Sequence, residues 1–256
     1  MLPIRDTIPS RSPPLMTWGI IGVNVLVFFF ERALPPEQLK AVFYWFGIVP
    51  ARYTHPDWAM WLGLPVDNYW PFLTSMFLHG GWMHIISNMW SLWIFGDNVE
   101  DRMGPWRFLV FYLLCGILAG GVHWATNMHS TVPTVGASGA ISGVLGAYLL
   151  LYPRAHIITL VPLFFYPLFV AVPAAVFIVV WFGSQLMSGV ASLTVAGAVG
   201  GVAWWAHIGG FVAGLALCRL FLDPERKGVH FRDEMTYEQA WDADLGHPGQ
   251  SRTIQD

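Results

Sequence analysis

The sequence predicts an all-α membrane protein with six transmembrane helices, and three observations lead there. The first is composition. Of 256 residues, 55% are hydrophobic and 11% charged, with a mean hydropathy of +0.52. A soluble domain carries about 25% charge, so too little polar surface exists here to coat a body in water. The second is the length of the stretches without Asp, Glu, Lys or Arg: residues 12–30, 68–96, 108–153 and 155–218, where a span needs about 20 apolar residues. The third is punctuation. The two longest stretches hold breakers, Asn127 to Pro133 and Ser188 to Gly201, and fold back there. The formal charge of -3, with no cluster of Lys or Arg, excludes a basic nucleic-acid binder. Cys115 and Cys218 both lie in apolar runs, which excludes a disulfide framework and reads them as small buried hydrophobes.

Each element follows in order. Residues 1–14 form an N-terminal tail, and the first span covers 15–34. It is long enough to cross, follows a proline-rich start and lacks a small-residue cleavage site, so it reads as a retained span. Residues 35–71 hold Trp45, Trp58, Trp61 and Trp70 among several prolines, which suits a loop lying in the membrane interface. The remaining spans are 81–98, 106–127, 137–152, 168–188 and 203–222, completing a membrane domain over 15–222. From Asp223 the chain turns polar, and 223–256 reads as a disordered tail. Ten positive charges (Arg5, Arg11, Arg102, Arg107, Arg154, Arg219, Arg226, Lys227, Arg232, Arg252) fall on one side and three (Arg32, Lys40, Arg52) on the other. The positive side is cytoplasmic, which puts both termini there.

Polar groups inside spans are costly and mark function. The sequence offers His79, His84 and Asn88, then Gly136-Ala137-Ser138-Gly139, then Ser142, and finally His207. Singly, each has a plain structural reading: serines bond their own helix, histidines sit at interfaces, and Asn88 glues helices. Depth changes this. Ser138 lies 16 residues from Arg154, His207 12 from Arg219 and His84 13 from Asp97, or roughly 24, 18 and 20 Å from the inner ends of their spans. All three therefore share a layer somewhat below the outer surface of a core about 30 Å thick. Small residues recur beside them: Ser138, Ser142 and Gly146 with Gly139 and Gly143, and Ala203, Ala206, Gly210 and Gly214. Such stripes let helix backbones close up, within reach of a seryl oxygen for an imidazole.

A serine needs a base to become nucleophilic, and histidine titrates in the right range. Ser138 is the expected nucleophile, with His207 as general base and then as acid to the leaving amine. His84 and Asn88, at i and i+4, share a helix face. With the backbone N–H of Ser138 near a helix N-terminus, they make the expected oxyanion hole. No span carries an acid placed to orient His207, so a dyad is expected.

These residues resemble the rhomboid family of intramembrane serine proteases. The resemblance rests on His84-x-x-x-Asn88, Gly-Ala-Ser-Gly around Ser138, and Gly201-x4-Ala206-His207-x-x-Gly210-x3-Gly214, with His79 and a Glu100-x-Arg102-x-Gly104 turn in support. It covers roughly residues 15 to 222. It implies a six-transmembrane-helix rhomboid-like bundle with a wet cavity open to the outer side, in a membrane such as the bacterial cell membrane. The implied substrates are single-pass membrane proteins, cut in or near their spans. No metal, cofactor or nucleic acid is implied. Span five and residues 189 to 202 are where the resemblance places a gate. Two positions depart from the family. An aromatic found in some members one turn after the nucleophile is Ser142 here, and the Trp-Arg pair of the first outer loop is absent, Trp70 being followed by Pro71. The rival readings are a catalytically inactive relative that binds and escorts membrane proteins, a metal enzyme or carrier using His79, His84 and His207, and a transporter. Retention of both Ser138 and His207 counts against the first. The lack of HExxH counts against the second, and the lack of a buried charge pair against the third.

Overall fold

The computed structural model of the chain describes residues 2–163, 166–194 and 203–225. Part of the expected gate (195–202) and most of the C-terminal tail (226–256) lie outside the described residues.

The first long helix, α1 (Leu15–Ala33), starts after Pro13-Pro14 and stops before Pro35-Pro36, since proline cannot continue a helix from within. Its N-terminal amides are satisfied from elsewhere: Met16 N–H and Thr17 N–H donate to the Glu100 carboxylate at 2.9 and 2.8 Å. Residues 35–71 build three short helices, α2 (Pro36–Phe46), α3 (Ala51–Thr54) and α4 (Pro56–Trp61), each with proline at or just before its first turn. The fully buried Arg52 donates its guanidinium to the carbonyls of Tyr44 and Trp45 at the end of α2. Trp45, Trp61 and Trp70 stay exposed. After α5 (Pro71–Thr74) and a 3-10 turn (Ser75–Phe77) come α6 (Trp82–Met103) and α7 (Pro105–Thr126). Gly104 joins them with φ +78, a left-handed conformation glycine adopts without strain. Then follow α8 (Ser138–Leu151), α9 (Ala174–Thr194) and α10 (Trp204–Phe221).

Among the described residues, four helices are long and apolar enough to cross a membrane: Leu15–Ala33, Pro105–Thr126, Ala174–Ser192 and Trp204–Phe221. The other two expected spans differ for physical reasons. Although α6 has 22 residues, its last turns carry Asp97, Glu100, Asp101 and Arg102. With only 14 residues, α8 measures about 21 Å at 1.5 Å per residue, short of a core about 30 Å thick.

The fold is not all-α. A three-stranded antiparallel sheet joins β1 (Leu2–Asp6), β2 (His156–Leu163) and β3 (Tyr166–Pro173), with Leu2 opposite Leu160 and Ile157 opposite Val172. An uncharged apolar run cannot be told apart as helix or strand by hydropathy alone. Here Ile157, Ile158, Thr159, Val161, Val170 and Val172 supply β-branching that favours strands. The fifth long helix accordingly begins at Ala174, not 168, and is described through Thr194, beyond the expected end at 188. The first residues of the expected N-terminal tail form the edge strand β1.

The core lies among α6, α7, α8 and α10, filled by Phe95, Phe108, Phe111, Tyr112, Val144 and Tyr148. Two backbone contacts set the distance between α8 and α10. A Cβ on Gly210 would land on the carbonyl oxygen of Gly139, and one on Gly214 on that of Gly143. Cys115 and Cys218 are buried free thiols.

Candidate active site

Three segments converge where α8 begins. The connection from Asn127 to Ala137 is not helical, and such backbone at membrane depth is tolerated only where protein satisfies it. It is satisfied here: Ala51 N–H donates to Ser130 O at 2.9 Å, Ile48 and Thr134 exchange both backbone bonds, and Gly136 N–H donates to Ser75 O at 2.8 Å. Ile48, Ala51 and Ser75 thus hold this connection in place, and Ser138 is the first residue of α8. Amides in the first turn have no intrahelical partner and favour negative charge.

His207, 9% exposed, stands one turn into α10. Its Nε2 lies 2.7 Å from Ser138 Oγ, a hydrogen bond across 69 residues of sequence. Gly139 lets α8 lie close to α7, since a Cβ there would press against Ala119 at 2.8 Å. Facing the pair from α6 are His84 and Asn88. Gly136 has φ +130, and a Cβ on it would sit 2.6 Å from His84 Nε2 and 3.7 Å from Asn88 Nδ2. Glycine at this position therefore lets the segment before α8 pack closely against His84 of α6. Asn88 is 6% exposed and its Nδ2 is buried with no hydrogen-bond partner. An orphaned amide of this kind costs about 1–3 kcal/mol.

The supporting residues have distinct places. Ser142 Oγ donates to Ser138 O at 2.6 Å, a bond within its own helix, and does not reach His207. His79 is buried beside His84, ring centroids 5.1 Å apart, and its backbone N–H donates to the Glu31 carboxylate at 3.1 Å. Gly210 and Gly214 set the spacing of α8 and α10.

Sequence reasoning missed what surrounds the far side of His207. Its Nδ1 lies 2.7 Å from Gln185 Oε1 on α9. Trp181 of α9 and Trp204 of α10 flank the ring at 6.1 and 6.3 Å between centroids. The available signal was Gln185 itself, an uncharged polar residue in an otherwise apolar span.

A bundle of apolar helices, four of them long enough to cross a membrane among the described residues, defines a membrane-embedded protein, and comparison with known proteins narrows this. The Rhomboid domain profile matches residues 66–224, and the chain belongs to the rhomboid family. It is 34% identical over 140 residues to "Rhomboid protease GluP" of Bacillus subtilis (strain 168), covering 55% of this chain and 25% of that protein. It is 33% identical over 119 residues to "Putative rhomboid protease YdcA" of the same organism, covering 43% and 57%. Similarity extends to "Presenilin-associated rhomboid-like protein, mitochondrial" of Homo sapiens, 30% identical over 151 residues, covering 57% and 35%. The matched segments thus span between a quarter and about three fifths of these relatives.

Proposed function

We propose that the chain is an intramembrane serine endopeptidase that hydrolyses peptide bonds in or near the spans of membrane-protein substrates. The observation that carries this reading is the 2.7 Å contact between Ser138 Oγ and His207 Nε2 at the part-buried start of α8. His207 Nε2 takes the hydroxyl proton as Oγ attacks the scissile carbonyl carbon. The carbonyl π electrons pass to oxygen, and the resulting oxyanion accepts hydrogen bonds from Asn88 Nδ2, His84 and the Ser138 amide. Collapse expels the amine, which takes the proton back from His207. Water, deprotonated by the same imidazole, then releases the acyl group and restores Ser138.

The topology that goes with this chemistry has six spans over residues 15–222, both termini cytoplasmic and the site opening outward, in a membrane such as the bacterial cell membrane. The ten-to-three charge asymmetry supports the orientation. Single-pass membrane proteins are the fitting substrates, because an unwound segment exposes carbonyls that a helix ties up in its own bonds.

The test compares the wild type with Ser138→Ala and His207→Ala in detergent, by fluorophosphonate labelling and by cleavage of a single-pass substrate. Both variants should insert and fold, with turnover reduced by about 10⁴-fold or more. Near-normal turnover in either variant overturns the dyad. A folded wild type that neither labels nor cleaves would point to an escort protein instead.

A further inference from the structure

We infer that Gln185 is the positioning residue for His207, fixing the imidazole tautomer that lets Nε2 accept the Ser138 proton; this rests on the dyad proposed above. A neutral imidazole has one N–H and one bare nitrogen, and only a bare Nε2 can act as base toward Ser138. The group on Nδ1 decides which nitrogen is bare. That group is Gln185, whose side-chain Oε1 is 2.7 Å away.

A glutamine amide could present either end to the ring, and its other contacts decide the orientation. Gln185 Nε2 faces Trp181 O at 3.3 Å and Ser184 Oγ at 2.9 Å. A backbone carbonyl can only accept, so the NH₂ group must point there. The Ser184 hydroxyl proton is directed to the same carbonyl, Trp181 O at 2.6 Å, leaving its oxygen to accept from the amide. The amide oxygen is therefore turned to His207, and an oxygen demands a proton on Nδ1. Nε2 is left bare, facing Ser138 at 2.7 Å. Both side chains are buried, Gln185 at 7% exposure and His207 at 9%, so water does not compete for these groups. The path runs from the α9 backbone through one amide to the base.

The role resembles that of the third member of a catalytic triad, with a neutral acceptor in place of an acid. A charged acid also stabilises the imidazolium, and losing it costs about 10⁴-fold. A neutral amide supplies orientation and tautomer alone, so its loss should cost less.

The experiment joins spectroscopy on the unaltered protein to kinetics on two variants. In wild type carrying ¹⁵N-histidine, with the His207 signal assigned by difference from His207→Ala, Nδ1 should appear protonated and Nε2 bare. Gln185→Met should mix the tautomers and lower kcat about 10- to 100-fold with KM within about twofold, and slow phosphonate labelling in parallel. Gln185→Glu, which keeps an acceptor oxygen at the same reach, should recover most of that loss. A proton on Nε2 in wild type, full kcat in Gln185→Met, or no recovery in Gln185→Glu overturns the assignment. If Gln185→Met fails to fold, the wild-type tautomer and Gln185→Glu decide. Failure of the dyad itself reads differently, as a wild type without Ser138-dependent labelling, and the tautomer then decides the role of Gln185 alone.

Discussion

At the end of α6 that carries Glu100 and Asp101, each carboxylate accepts several donors. Glu100 takes Met16 N–H, Thr17 N–H and the Thr17 hydroxyl. Asp101 takes the amides of Arg11 and Ser12 and the hydroxyls of Ser10 and Ser12. Toward the other end of the same helix, the Nδ2 of Asn88 is buried without a partner, as are both ring nitrogens of His79, three residues before the helix begins. At the first end the carboxylates tie α1 and the N-terminal segment to α6, although Asn98 Oδ1 and Arg102 Nε there lack partners too. At the second, Asn88 Nδ2 ties nothing together among the described residues and lies beside Gly136, two residues before Ser138. Buried polar groups are normally paired, so the carboxylates and Asn88 contribute differently to stability. Substitutions at the two ends should therefore fail in opposite ways.

The largest effect after loss of the dyad is expected at Asn88. Asn88→Ala should lower kcat by about 10²- to 10³-fold, since removal of one oxyanion donor costs about 3–4 kcal/mol. Substrate binding should change little, because the contact strengthens only in the transition state. Thermal stability should hold or rise, since an unsatisfied buried amide disappears. Raised KM with unchanged kcat would remove Asn88 from the chemistry. Acidity gives the next effect. A protonated imidazole cannot accept the Ser138 proton, so kcat should fall about tenfold per pH unit on the acid side of the His207 titration, and a flat profile in folded protein would exclude a histidine base. Glu100→Ala should do the reverse of Asn88→Ala. Losing charge-assisted bonds to two amides costs about 2–3 kcal/mol and should lower the apparent thermal midpoint by about 5 °C, with kcat within about twofold of wild type.

The same division explains what could be read in the sequence. The site was legible because its residues are chemically out of place: Ser138, His84, Asn88 and His207 stand in uncharged stretches, and helix geometry alone brings three of them to a common depth. Gly210 and Gly214 were legible as a small-residue stripe, although not the contact of each with a carbonyl of α8. Gln185 escaped because it looked like any polar residue in a long apolar run, and its partner lies 22 residues away on another helix. The sheet escaped for a different reason. Hydropathy reports burial and not backbone conformation, so His156–Pro173 read as part of a helical stretch. Nothing local to Leu2–Asp6 predicts that it would pair with Ile157–Leu160.

That strand supplies the smallest effect. Asp6, at the end of β1, accepts from Tyr148 Oη at 2.5 Å and from Asn98 Nδ2 at 2.7 Å. Burial, with the Asp97 carboxylate next in importance, holds the Asp6 carboxyl well above the ordinary range, against the pull of the Tyr148 hydroxyl. The unfolded chain releases this proton near pH 4, whereas the folded chain retains it to higher pH. The contribution to stability is therefore fully present below about pH 4 and is lost as pH rises through the folded value. Asparagine keeps an acceptor oxygen for both partners and cannot ionise. Asp6→Asn should match wild type near pH 4 and exceed its apparent thermal midpoint by about 1–2 °C at pH 8, with cleavage unchanged. A wild type more stable than the variant at pH 8 would mean that the ionised carboxylate is the form the strand needs, and would bring Asp6 into line with Glu100 and Asp101, whose anions hold the same end of α6 together.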